Sequence, residues 1–473
     1  MQALVNSRLL YFGTMEELYW NNMGLGMDKG RLTGDFTALF WAVQTWKAVS
    51  FVDVLASRVQ DAIEAQSLQI FDAPALTSSA MLPNPANTLD NSGDLVGFDE
   101  ETLWSMMEAP EVNAGSDTDV IFVDWARYYD TLFMIAVNGT QGDREVSVIE
   151  FDYHRIEKWV RDHVGVSSTR EGRPERRRLG RASYLKELMP LIEPLEGIAK
   201  PGDLLVFCPT GILHAVPLQA IPFGPQGKPL IVSNPVVFSS SLSLMHQCTS
   251  AASKAVVLPT VPTLAVTRFG QHDQVEEERM RKTAMESLVH EALGVTLLSG
   301  REATVDAFKA HSHAVRLLHY HGHAYLEAAE RKDRGLHLES IAQPVRGGQP
   351  DDTSILRVMD ILDLHLDASV VILLACASGE DDIGPNDDPL GLLSAFLYAG
   401  ACSVVATRWP TQTSDARDFA MRFYRHAFTS RDGHLVNLAR AVQAAVVELI
   451  EEWDEDEPYH WAQFQLRRFF FPL

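Results

Sequence analysis

A thiol and an imidazole stand at the ends of two apolar runs in the second half of the sequence. Cys376 closes Val370-Val-Ile-Leu-Leu-Ala375 and is followed by Ala377-Ser-Gly379. His321 closes the run that begins Ala314-Val-Arg-Leu-Leu318, within His319-Tyr-His321-Gly322-His323. Short apolar runs bounded by turn residues read as strands buried on both faces. In open α/β sheets, function collects beyond the carboxyl ends of such strands. A cysteine nucleophile needs partial conversion to thiolate, an imidazole to carry protons, and N–H donors where the oxyanion forms. The small residues after Cys376 let a peptide approach, and Gly322 offers an N–H with no side chain in the way. Singly, Cys376 also reads as a core thiol and His321 as a loop histidine; together, at matching strand ends, they point to acyl transfer. Cys376 attacks a peptide carbonyl, and His321 protonates the leaving amine and then activates water. His321 is also the evident electropositive neighbour for a thiolate, with His319 and His323 as alternative bases.

Other chemistries fit less well. His311, His313, His319, His321 and His323 raise a metal site, since alternate residues of a strand share a face. No carboxylate stands at matching spacing, and there is no His-Glu-x-x-His. A phosphate-cradling Gly-x-x-x-x-Gly-Lys loop is also missing, so no cofactor is expected. The rival of another class is a catalytically silent scaffold that uses the same fold to bind protein partners.

Positioning such a pair takes a large scaffold. The chain has 473 residues, enough for two or three domains. Hydrophobic residues make up 46% and charged residues 22%, as in folded soluble proteins. The net charge of −23 argues against nucleic acid and against an anionic membrane surface as partners. Cys208, Cys248, Cys376 and Cys402 have no disulfide or metal spacing, which suits a reducing compartment. No basic segment followed by an apolar core opens the sequence, and no apolar run reaches the ~18 residues of a membrane span. A cytoplasmic protein is expected, with a protein or peptide substrate and a possible regulatory protein partner.

Along the chain, residues 1–71 read as helix, with apolar residues from Phe36 to Val59 at helical spacing. Residues 72–104, rich in Pro, Ser, Asn and Gly, read as a linker or mobile loop. From about Asp117 the signals alternate: a hairpin at 119–125 and 131–137, helices at 153–163 and 184–195, and a strand at 204–208. Strands at 255–258 and 295–298 and helices at 275–292 and from Thr304 follow, before the two strands that carry His321 and Cys376. A helix at 390–399, a strand at 403–407 and two terminal helices complete the series. Alternation of this kind implies a mainly parallel sheet with helices on both faces.

The ordered motifs resemble the CHAT domain, a caspase-like peptidase family related to separases and often found behind tetratricopeptide repeats. The strand ending in His-Gly appears as Leu317-Leu-His-Tyr-His321-Gly322, and Ala-Cys-x-x-Gly as Ala375-Cys376-Ala-Ser-Gly379. An acidic pair and Gly-Leu helix follow as Asp387-Asp388-Pro-Leu-Gly391, then Ala399-Gly400-Ala401 and a strand running into Trp409-Pro410. In the amino half, Pro209-Thr-Gly211-Ile-Leu-His214-Ala-Val-Pro217 matches a further family element. The resemblance covers about residues 110–473. It implies a caspase-type αβα sandwich in two halves, an inactive one at 105–255 and a catalytic one at 256–473. His321 and Cys376 carry over as the dyad, with the N–H groups of Gly322 and Cys376 as oxyanion donors. His214 falls in the inactive half and is read as structural.

Two departures touch the expected substrate pocket. Arg408 stands before Trp409 where the family often has Leu, and Thr413 then Asp415 follow where it often has Asp. An acidic lining from Asp381, Asp382 or Asp415 would select Arg or Lys on the amino side of the scissile bond. Arg408, pointing inward beside Trp409, would select an acidic or small polar residue. The 72–99 segment or the acidic loop at 380–388 would serve as a gate.

Overall fold

In a computed structural model of the chain, the described residues near the amino end are 23–26, 28–30, 32–33, 39, 43 and 47. The others are 119–138, 144–149, 151–164, 166–168, 174–176, 179, 181–240, 262–268, 295–313, 315–325, 333–340, 352–366, 370–379, 382–383, 389–427 and 437–468. The expected linker at 72–104, strand at 255–258 and helix at 275–292 lie outside them, as do Asp381 and Cys248.

One eleven-stranded sheet runs through the molecule. Its strands are β1 (Val120–Tyr128), β2 (Thr131–Asn138), β3 (Arg144–Ile149), β4 (Leu204–Cys208), β5 (Val236–Phe238) and β6 (Thr263–Arg268). They continue with β7 (Thr296–Ser299), β8 (Leu317–Gly322), β9 (Val370–Leu374), β10 (Ser403–Thr407) and β11 (Phe464–Arg468). The spatial order is β7-β6-β8-β9-β10-β11-β5-β4-β1-β2-β3. Pairing is antiparallel only at β1–β2, β2–β3 and β10–β11. The mainly parallel α/β sheet read from the sequence is therefore the sheet observed. β9 and β10 are buried at every position, as expected of strands covered on both faces.

Helices cover the strands β6 to β10 on two sides. Facing one side, α5 (Thr413–Ala427) and α6 (Leu438–Trp453) pack Phe419, Phe423, Val442 and Leu449 into a core shared with Leu374 and Val405. On the other, α2 (Val305–His311), α3 (Val358–Leu362) and α4 (Leu392–Tyr398) cover Leu318, Tyr320, Leu373 and Ala406. Thr304 caps α2 through the Ala307 N–H. The amino half has α1 (Tyr153–His163), capped by Asp152. Where a helix was expected over 184–195, the chain forms two 3-10 segments, Ala182–Leu191 and Glu193–Gly197. Pro190 and Pro194 each lack an amide donor, which α-helical pairing would require.

Strand β11 lies between the strands of residues 120–238 and those of residues 263–407. It lies antiparallel to β10 and pairs through Arg467 with Phe238 of β5. The amino-terminal region is also tied in: Met23, Leu39 and Val43 are buried, and Lys47 reaches the carboxyl ends of β1 and β4. Its ammonium pairs with Asp124 and donates to the carbonyls of Trp125 (2.8 Å), Cys208 (2.9 Å) and Pro209 (3.3 Å).

Candidate active site

His321 and Cys376 meet because two parallel strands run in register. β8 and β9 pair His321 with Leu374, two residues before Cys376. Both residues thus emerge at the carboxyl edge of the sheet, His321 buried and Cys376 half-buried. The turn after β9 is held tightly. Ala377 takes a left-handed backbone conformation (φ 50°), and the N–H groups of 377, 378 and 379 donate to Trp409, Ala375 and Thr407. Ser378 Oγ donates to the Leu373 carbonyl (2.9 Å), and Thr407 Oγ1 to that of Ala375 (2.5 Å). Gln465 donates to the Gly379 carbonyl at 3.0 Å, where a Cβ on Gly379 would collide with its amide nitrogen. The Cys376 thiol donates to the Thr411 carbonyl at 3.7 Å, just ahead of α5.

His319 lies on the same face of β8 as His321, one strand repeat deeper, with the rings 6.1 Å apart. It shares a 2.6 Å hydrogen bond with the Tyr424 hydroxyl in α5. Burial holds its pKa well below 6.5, and His321 adds to the depression. His319 is a fully buried core histidine tied to α5. His323 is exposed. Among the described residues, no three His, Cys, Asp or Glu side chains converge as a metal site.

The expected pocket residues are placed differently. Trp409 is a core residue, its Nε1 donating to the Tyr459 carbonyl (3.0 Å) and its ring stacked on Tyr459. Asp415 is fully buried and shares a 2.8 Å hydrogen bond with His460; burial raises its pKa and His460 opposes the rise. Arg408 is buried, donates to the His214 carbonyl (2.7 Å) and stacks on Phe238 of β5. Burial, with Arg467 second, pulls its pKa down to about 9. These three side chains serve the core and the seam between the halves, which corrects their reading as pocket lining. The physical reason is packing: the residues that follow β10 bond the segment just before β11, Arg408 N–H to the Gln463 carbonyl, Trp409 to that of Tyr459, and Asp415 to His460. Of the acidic candidates, Asp382 belongs to a short strand, Asp382–Ile383, packed near the turn Gly211–Ala215. His214 in that turn is buried, as its structural reading requires, with its pKa depressed by burial and then by Arg467, Lys47 and Arg408.

Two further residues, Arg268 and Tyr320, border the site. Arg268 ends β6 opposite Gly322 and pairs with Glu339 at 2.7 Å. Tyr320 lies beneath Gly322, with its hydroxyl on the carbonyls of His323 and His337. Burial raises the Tyr320 pKa, with Arg268 opposing the rise and Cys376 adding to it. The sequence signal for Arg268 is the run Thr263-Leu-Ala-Val-Thr-Arg268, an apolar strand ending in a charge.

A family model of the CHAT domain matches residues 183–468. The chain belongs to the CHAT domain family. No curated protein matches its sequence. Among solved structures, this CHAT domain chain is similar to the Saccharomyces cerevisiae separase–securin complex. At 10% identity and a TM-score of 0.50, the match covers 81% of this chain and 33% of that one. A second structure of that complex gives a TM-score of 0.48 at the same identity, covering 81% and 32%. The Arg-specific cysteine proteinase gingipain R gives 0.40 at 12% identity, covering 62% and 66%. This chain therefore spans about a third of the separase chains it matches. The shared architecture is the caspase-like α/β fold. No helix among the described residues is long and apolar enough to cross a membrane.

Proposed function

We propose that this CHAT domain chain is a cysteine endopeptidase working through Cys376 and His321. The observation that supports this best is the register of β8 and β9, which brings His321 and Cys376 to neighbouring carboxyl ends of parallel strands. Cys376 passes its proton to His321 and its sulfur bonds to the peptide carbonyl carbon. The carbonyl π electrons move to oxygen, and the oxyanion rests on the N–H groups of Gly322 and Cys376. Those of residues 377–379 are committed to protein carbonyls and take no part. The C–N bond then breaks, His321 gives its proton to the leaving amine, and a thioester remains. Water, deprotonated by His321, attacks the thioester and releases the acid and the thiol. No cofactor enters these steps.

With Asp415 turned into the core, Asp381 and Asp382 carry the proposal of a basic residue on the amino side of the cut. The separase structures hold securin, which favours a protein partner for this chain as well; the acidic loop at 380–388 is its proposed gate. The test is cleavage of a mixed peptide library, which Cys376→Ala and His321→Ala should each abolish. Equal cleavage by wild type and Cys376→Ala would refute the assignment.

A further inference from the structure

We propose that Tyr320 is a positioning residue for this site: its hydroxyl, shared between the carbonyls of His323 and His337, fixes the turn that carries Gly322. The inference rests on the peptidase reading, in which the Gly322 N–H faces the oxyanion.

Tyr320 sits between His319 and His321 on β8 and projects to the opposite face, where it is fully buried. Its hydroxyl lies 2.8 Å from the His323 carbonyl and 2.7 Å from that of His337. The His337 N–H also donates to the His323 carbonyl, at 2.9 Å. Ala324–Tyr325 then pairs with Gly335–His337 as a short antiparallel ladder. The turn after His321 is thus stapled to a neighbouring strand by the ladder and by one phenol. A hydroxyl with a single proton between two carbonyls draws both toward it.

Gly322 shows how closely the turn is fitted. A Cβ there would lie 2.4 Å from the Arg268 carbonyl and 2.8 Å from the Tyr320 hydroxyl. Both oxygens crowd the place a side chain would take, and the Tyr320 hydroxyl also holds the His323 carbonyl, so its loss frees the turn to shift. Oxyanion donors act through placement, and a displacement of about 1 Å costs on the order of a hundredfold in rate. Tyr320 does not act as acid or base: it is buried and its proton is spent on the two carbonyls.

Tyr320→Phe keeps the ring and removes only the hydroxyl. For a peptide that the wild type cleaves, kcat should fall roughly 10- to 100-fold with KM nearly unchanged. A peptide aldehyde of the same sequence, whose adduct on Cys376 carries an oxyanion, should bind more weakly by a similar factor. Alkylation of Cys376 by iodoacetamide involves no oxyanion, so its rate and pH profile should stay those of the wild type. Unchanged kcat, or an alkylation rate that falls along with kcat, overturns the positioning role; the latter would mean the whole site has loosened. Absence of Cys376-dependent cleavage in the wild type overturns the peptidase reading itself, and this inference with it.

Discussion

Replacing Lys47 by methionine removes a buried ammonium from the joint between the amino-terminal region and the sheet. Lys47 is 2% exposed and its side chain pairs with an equally buried Asp124. Its ammonium also serves the carbonyls of Trp125, Cys208 and Pro209. Methionine fills nearly the same volume, so the loss is electrostatic: one carboxylate left buried without its cation, and three carbonyls that each lose the ammonium as a donor. Breaking a buried pair by removing one partner costs about 3–5 kcal/mol. For a cooperative unit of this size that is a fall of roughly 6–10 °C in Tm, at about 2 °C per kcal/mol. Differential scanning calorimetry reads it. The double variant Lys47→Met/Asp124→Leu removes both charges and should regain more than half of the loss, since an apolar pair of similar volume is often neutral. A Tm unchanged in the single variant would refute the reasoning. So would a double variant as unstable as the single, because the penalty would then not come from an orphaned charge.

Ala377 holds a left-handed conformation that L residues adopt at a cost. Ala377→Gly should therefore gain about 0.5–1 kcal/mol, a rise of roughly 1–2 °C in Tm, whereas a loss of stability would contradict the strain. Acidification should weaken the fold through His214 and His319, whose folded pKa values lie below 6.5. Their contribution is full above pH 6.5 and is lost as pH falls toward the folded values, because the unfolded chain takes up the protons first. Each histidine adds a slope of up to about 1.4 kcal/mol per pH unit. The Tm of His319→Gln should fall less steeply than wild type between pH 6.5 and 5; parallel curves would refute the linkage.

The parts of the fold that were legible are those where one short pattern suffices. Val370–Leu374 and Ser403–Thr407 are uniformly apolar and are buried strands. His321 and Cys376 stood out because each closes such a run, and the register between them follows from parallel pairing. β11 escaped notice because Phe464-Gln-Leu-Arg-Arg468 looks like a half-exposed strand or a tail. In the folded chain Gln465 and Arg467 are buried, one bonding the turn after Cys376 and the other meeting His214 at the seam. Polar residues at the joint of two halves break the rule that polar means outside. Arg408, Trp409 and Asp415 were misplaced for a related reason: spacing put them near the nucleophile in the chain, but only packing decides which way a side chain turns. Lys47 and Asp124, 77 positions apart, leave no local trace of their pairing. Tyr320 was hidden among histidines, since nothing local shows that a phenol on the opposite face will hold the turn.

The central claim is that Cys376 cleaves peptides. The most direct measurement is digestion of a mixed peptide library by the wild type and by Cys376→Ala, read by mass spectrometry. Cuts made by the wild type and missing with Cys376→Ala are the predicted result, and their flanking residues would show whether a basic side chain precedes the cut. The same cuts from both proteins, or none from either, would contradict the account, the second outcome favouring a scaffold that keeps the fold without the chemistry.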